Sequence, residues 1–259
     1  MTELTHRHIA ERGMIVRTLV GSTIHGLALE GTDDRDEMGV CIEPPEWVIG
    51  LRHFETWLFR TKPEGVRSEA GDLDLVVHSL RKFSRLALKG NPTVLLVLFV
   101  PAEELLLRTP LGDELQALAP AFVSREAGKA FHGYLTAQKQ RLLGERGQLR
   151  THSPELVDEH GYDTKYAMHM VRLGYQGREL LQTGRISLPM REHERARVFA
   201  VRRSEVPFNE VMTEIGELER DLEDLLTTSP LPPKPDRDGV EAFLVRAYRE
   251  HWERVARDG

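Results

Sequence analysis

Residues 19–42 read LVGSTIHGLALEGTDDRDEMGVCI, and few folds accommodate that order of parts. A short apolar run, residues 13–20, ends in Gly21-Ser22. About a dozen residues later Asp34 and Asp36 stand two apart, just before a second apolar run. The pattern asks for a strand, a tight Gly-Ser turn, a short helix or loop, and two carboxylates at the start of a neighbouring strand. Side chains alternate along a strand, so Asp34 and Asp36 share one face and are spaced to hold the same divalent ion. Gly21, Gly26 and Gly31 punctuate the connection and allow the close backbone approach that phosphate needs. By themselves Asp33, Asp34, Asp36 and Glu37 also read as an acidic turn, since Asp is common in turns.

The next informative run is Asp72-Leu73-Asp74-Leu75-Val76-Val77-His78, whose alternation predicts a half-buried strand with Asp72, Asp74, Val76 and His78 on one face. Ser79 suits the cap of a following helix. In that helix Leu80, Phe83, Leu86 and Ala87 face the sheet, and Arg81, Lys82, Arg85 and Lys89 face outward or into a cleft. Gly90-Asn91-Pro92 ends it. Residues 43–68, with Pro44-Pro45, Trp47, Trp57 and Pro63, read as a loop leading into an irregular or edge strand, either a lid with a tryptophan for a base or surface packing. His6 and His8 lie on an N-terminal helix, as metal ligands or as part of a solvated face. Residues 93–120 read as short helical pieces.

From Ser124 the pattern is helical, first to about residue 146 with Phe131, Leu135 and Leu142 on one side. A polar connection over 144–161 reads as a loop that orders on substrate binding. On a helical wheel of residues 162–181, Lys165, His169, Arg172, Gln176 and Glu179 fall in a stripe about 80° wide, and nearly everything else is apolar or glycine. A largely buried helix that keeps one charged line aims it into a cleft, or locks it into a buried ion-pair network with neighbouring helices. Gly184 caps this helix. Residues 206–226 predict another helix with a heavily acidic, solvated face. Residues 227–238 predict a proline-rich linker, and 240–257 a last helix that packs back through Phe243, Leu244, Tyr248 and Trp252.

A glycine turn for phosphate beside two carboxylates is the layout of a nucleotidyl-transfer site. The pattern resembles the signature of the DNA polymerase β-type nucleotidyltransferase superfamily. More narrowly, GSTIHGLALEGTDDRDEMGV, DLVVHSLRKFSRLALKGNPTVL, GYDTKYAMHMVRL and ELLQTGRISLP are similar, in order, to the RlaP-like nucleotidyltransferases associated with RNA repair. The chain departs from the superfamily in carrying Arg35 and Glu37, where apolar residues are preferred around the second carboxylate, and from the family in Met38-Gly39-Val40, where Arg-Gly-Val is common.

The resemblance implies an α+β protein. Residues 1–121 would form a polymerase β-type nucleotidyltransferase domain, a small mixed sheet with flanking helices, and residues 122–259 a helical C-terminal domain. It implies a third metal-binding carboxylate five residues before Ser79, which is Asp74, with Asp72 as the alternative. It implies Asp34, Asp36 and Asp74 as catalytic metal ligands for two Mg²⁺ ions, with Mn²⁺ as a substitute. Gly21 and Ser22 would contact the nucleotide, and Lys165, His169 and Arg172 would bind the triphosphate or an RNA phosphate. The reaction implied is transfer of a nucleoside monophosphate from an NTP to a hydroxyl with release of pyrophosphate, the acceptor being an RNA or tRNA end. Other branches of the superfamily imply a small molecule or a protein side chain as acceptor. A non-catalytic nucleotide sensor and a metal-dependent hydrolase are the remaining alternatives.

The net charge of −6 disfavours a long nucleic-acid partner such as duplex DNA and permits a local basic cleft. Hydrophobic residues make up 40% and charged residues 29%, ordinary for a globular chain. The longest apolar stretch, 94–100, is too short for a membrane span. With a single cysteine, Cys41, and no basic-then-apolar N-terminal pattern, the chain is expected in the cytosol.

Overall fold

The computed structural model describes residues 2–28, 35–62, 71–143 and 154–258, in two compact units. The first comprises residues 1–88, 93–122 and 236–259, and the second residues 89–92 and 123–235. The last helix, Arg237–Asp258, differs from expectation because it belongs to the first unit and not to the helical one.

A five-stranded sheet organises the first unit: β1 (Met14–Leu19), β2 (Arg35–Cys41), β3 (Thr56–Arg60), β4 (Leu73–Ser79) and β5 (Leu105–Arg108). The order is β3-β4-β2-β1-β5, with β2 and β4 parallel and every other pair antiparallel. Because partners in register share a face, the sheet has two distinct sides. One presents Cys41, Trp57, Leu75 and Val77, which pack with Ile9 and Ala10 of the N-terminal helix Thr2–Arg12 and with Trp47 and Phe54. The other carries Asp36, Asp74, Val76 and His78.

Trp47 and Trp57 are both buried in that core, which settles them as packing residues. His6 sets its ring edge-on against Trp47 and Phe54, at centroid distances of 5.4 and 5.5 Å. The sequence reading missed β5. It saw only helical pieces in 93–120, whereas Leu105–Arg108 pairs with β1.

Ser79 caps the helix Leu80–Leu88 as expected, its hydroxyl accepting from Lys82 N–H at 3.1 Å. Leu80, Phe83 and Ala87 of that helix are fully buried, each large side chain contributing about 2 kcal/mol by removal from water. Lys82 and Arg85, on its outer side, hold Glu55, and the Lys82 ammonium, with Arg85 assisting, draws that carboxyl down to about 2. At the far end of β2, Glu43 is completely buried. Tyr248 donates to its carboxylate at 2.7 Å and Trp252 to its carbonyl at 2.9 Å, which ties the last helix to the first unit.

In the second unit the helix Thr164–Thr183 packs against Arg125–Leu142, Glu192–Arg202 and Phe208–Thr228. Gly174 and Gly177 allow the close approach: a Cβ on Gly174 would stand 2.7 Å from Leu218 Cδ1, and one on Gly177 2.9 Å from Phe131 Cβ. Asp163 caps this helix, accepting from Tyr166 N–H at 2.9 Å. Gly184 closes it with φ +72°, left-handed as a cap requires. The helix from Ser124 ends at Leu142. Of the connection read as a loop, Pro154–His160 is a helix and residues 144–153 lie outside the described residues.

Candidate active site

The Gly-Ser turn forms as the start of a four-residue helix, Gly21–Ile24, directly after β1. Val20 N–H donates to Asp36 carbonyl at 2.9 Å, fixing the end of β1 beside the start of β2. Gly21 has φ +66°, and a Cβ added to it would lie 3.0 Å from both Cβ and Cγ of Asp36, with Oδ2 nearer still. The carboxylate of Asp36 therefore rests directly on the Gly21 backbone, in space that only glycine leaves free.

Parallel pairing of β2 with β4 places Asp36 in register with Asp74, side by side on the half-exposed face. Asp72, the alternative third carboxylate, is engaged elsewhere: Thr61 donates its hydroxyl to Asp72 at 3.0 Å, and Lys62 pairs with it at 3.1 Å. Those contacts fasten the ends of β3 and β4 together, and leave Asp74 as the neighbour of Asp36.

On the edge strand, Arg60 is the register partner of Asp74, and its Nε stands 3.5 Å from the Asp74 carboxylate. The sequence reading missed Arg60, since nothing but the β3–β4 register brings it to the carboxylate. Two residues past Val76 on β4, and opposite the start of β3, His78 bonds Thr56 through Nδ1 at 2.9 Å, and burial, then the nearby Lys82, pushes its pKa down.

Asp34 lies outside the described residues. Among those described, no group of three or more His, Cys, Asp or Glu is set to hold a metal. Asp36 and Asp74 supply two hard oxygen donors on an open face, the donor type that suits Mg²⁺ or Mn²⁺. The pair fits part of such a site, and Asp34, directly before β2, is the third expected donor.

Glu37, read as part of an acidic turn, is instead a buried carboxylate paired with the exposed Arg35. Glu37 is 1% exposed, on the side of β2 opposite Asp36, and takes Arg17 and Arg35 together.

Lys165, His169 and Arg172 belong to the second unit. Lys165 is exposed, and the other two are half-buried and meet at 3.0 Å between Arg172 Nη2 and His169 Nδ1. The rest of the predicted stripe is buried. Glu179 is buried and accepts from Ser187 N–H at 2.9 Å, Ser187 hydroxyl at 2.5 Å and Arg191 at 2.9 Å. Gln176 is buried as well. A buried carboxylate needs such partners, and here they tie the link after Gly184 back to the helix.

A mixed sheet that sets a glycine turn against paired carboxylates is the framework of a nucleotidyltransferase domain. The sequence matches, over residues 2–246, the family described as RlaP, RNA repair pathway DNA polymerase beta family, and the chain belongs to it. It is accordingly a nucleotidyltransferase.

Similar solved structures include a nucleotidyltransferase-like protein from Exiguobacterium sibiricum 255-15. That protein is 13% identical, with 88% of this chain and 75% of that one covered and a TM-score of 0.31. Another is spectinomycin adenyltransferase from Enterococcus faecialis, solved with ATP and spectinomycin. It is 12% identical, with 86% and 98% covered and a TM-score of 0.38. No curated protein matches the chain. Among the described residues, no helix is long and apolar enough to cross a membrane.

Proposed function

We propose that this protein transfers a nucleoside monophosphate from an NTP to a hydroxyl at an RNA or tRNA end, releasing pyrophosphate. The observation that carries the reading is the pairing of Asp36 with Asp74 on one open face, with Gly21 packed against Asp36. The RNA acceptor rests on the description of the family, an RNA repair pathway.

In this reading Asp34, Asp36 and Asp74 hold divalent metal, Mg²⁺ or Mn²⁺. Bound there, the metal supplies a lowered pKa for the acceptor hydroxyl and neutralises charge on the phosphate. Gly21 leaves room for Asp36 and presents its backbone, while Ser22 binds phosphate through its N–H or hydroxyl. Arg60 balances Asp74 until the metal is bound. Lys165, His169 and Arg172 bind phosphate, Arg172 through a planar fork of donors that matches phosphate oxygens.

The test incubates the full chain with each of four α-labelled NTPs, Mg²⁺ or Mn²⁺, and a pool of tRNA and small RNAs, beside an Asp34→Ala, Asp36→Ala variant. Label entering RNA with the intact chain alone is the expected result. Label in protein or in a small-molecule fraction would retain the chemistry and discard the RNA acceptor. No turnover of any NTP would overturn the proposal.

A further inference from the structure

Three register pairs cross β3 and β4 on the face that carries Asp74: Arg60 with Asp74, Leu58 with Val76, and Thr56 with His78. β3 is an edge of the sheet, and alternation sends its aromatic residues, Trp57 and Phe59, to the packed side. Leu58 is left 58% exposed on the other side, beside the half-buried Val76. A lone exposed leucine is ordinary, but this one forms an apolar rung between two polar ones, next to Asp74.

The polar rungs differ in character. Arg60 is 44% exposed, its Nε stands 3.5 Å from Asp74, and neither of its Nη groups is bonded among the described residues. A guanidinium with that fork open matches the oxygens of a phosphate. At the other rung Thr56 holds His78 through Nδ1 at 2.9 Å, and burial, then the nearby Lys82, lowers its pKa, so the ring is neutral at pH 7. A neutral ring with one nitrogen engaged presents Nε2 as a single donor or acceptor, the kind of group that reads the edge of a base.

The frame is stiff. Beside Arg60, Thr61 N–H donates to Leu73 carbonyl at 3.1 Å, and its hydroxyl accepts from Leu73 N–H at 2.9 Å while donating to Asp72. Strand geometry sets the rungs about 7 Å apart, a step that a sugar bridges between a base and its phosphate.

We infer that these rungs seat the terminal nucleotide of a single-stranded RNA acceptor: its base lies on Leu58 and Val76 with one edge toward His78, and its phosphate meets Arg60. The inference rests on the nucleotidyl-transfer reading, from which it takes RNA as the acceptor and Asp74 as the neighbouring catalytic group.

The probes are three RNA heptamers, of A, C or U alone, each with a free 3′ hydroxyl and a 5′ fluorescein. Binding to the full chain is read by fluorescence anisotropy at several salt concentrations, without NTP or metal, and circular dichroism melting runs in parallel. Leu58→Asn is expected to weaken binding of every probe about fivefold at unchanged salt dependence, through loss of the apolar contact. Arg60→Gln is expected to weaken all three alike and to flatten the salt dependence by about one counterion, a change that a merely structural role would not give. His78→Ala is expected to lessen the preference among the three bases. Leu106→Asn, at an exposed leucine of the opposite edge strand, is the matched control and is expected to bind as the natural chain does.

A natural chain that binds no probe, or binds all three equally, overturns the inference. So does a folded Leu58→Asn or Arg60→Gln that binds normally, a His78→Ala that keeps the natural preference, or a Leu106→Asn that loses as much as Leu58→Asn. Leu58 and Arg60 are exposed side chains of an edge strand, so their arms stand even if His78→Ala fails to fold. The labelled-NTP assay separates the two failures. Label entering RNA with the natural chain while these variants bind normally discards the seat alone, whereas no turnover of any NTP discards the nucleotidyl-transfer reading and the inference with it.

Discussion

Gly21→Ala separates folding from chemistry at the candidate site. At φ +66° a β-carbon is strained by about 1–2 kcal/mol. The new methyl also meets Asp36, with its Cβ and Cγ at 3.0 Å and Oδ2 inside them. The cheapest relief is rotation of Asp36, a short side chain at the edge of the half-exposed face, so the stability loss is expected to remain at about 1–2 kcal/mol. Activity has no such relief. Asp36 must leave the place where it stands beside Asp74, and a displacement of about 1 Å in a catalytic group is worth roughly a hundredfold in rate.

Gly184→Ala is the matched control. Its φ of +72° imposes the same backbone strain, but the nearest side-chain atom is Leu231 Cδ2 at 3.3 Å and no carboxylate is nearby. Urea denaturation should show similar losses for the two variants, while pyrophosphate release should fall about a hundredfold for Gly21→Ala and less than about threefold for Gly184→Ala. Equal activities in the two folded variants would refute the reasoning that the glycine exists to seat Asp36.

The two aspartates at the start of β4, Asp72 just before it and Asp74 within it, should also separate. Asp74→Asn is expected to lower turnover at least a hundredfold with little change in melting. Asp72→Asn, which loosens only the Thr61 and Lys62 contacts, should stay within about tenfold of the natural rate, each lost contact being worth about 1 kcal/mol; matched pyrophosphate assays decide it. Along the long helix, Arg172→Gln should raise the KM for NTP about tenfold through loss of a charge-assisted bond, with a smaller change in kcat. Glu179→Gln should instead lower stability by about 1–3 kcal/mol through its Ser187 and Arg191 partners, leaving KM unchanged.

Glu43 carries the pH prediction. Burial holds its carboxyl above the ordinary value, so the folded state binds the proton more tightly than the unfolded chain. Its contribution is therefore most favourable below about pH 4.5 and declines as pH rises through the folded pKa. Glu43→Gln keeps an acceptor for Tyr248 and removes the titration. Its stability relative to the natural chain, read by urea denaturation, should be greater at pH 8 than at pH 4.5, and a difference of the opposite sign would refute the assignment.

What was legible in the sequence follows the range over which each feature is determined. The Gly-Ser turn, the alternating β4 and the caps at Ser79, Ser124 and Gly184 depend on a few adjacent residues, and local pattern found them. Leu105–Arg108 escaped because three leucines and an arginine show no alternation, and the strand exists by pairing with β1. Glu37 looked like turn chemistry because its partner Arg17 lies twenty residues upstream, across a strand pair. The last helix was read with its inward residues right. Its destination depended on Tyr248 meeting Glu43, 205 residues away, which no periodicity encodes.

The charged stripe shows the same division inside one helix. A helical wheel fixes the angle of Lys165, His169, Arg172, Gln176 and Glu179 but not what each turn of that line faces. Glu179 faces the returning chain at Ser187 and Arg191, and became a buried anchor. Lys165, about four turns earlier on the same line, faces solvent. A narrow polar line on an otherwise apolar helix therefore marks where charge is tolerated, and the packing of neighbouring segments turn by turn determines whether that charge is structural or available to a ligand.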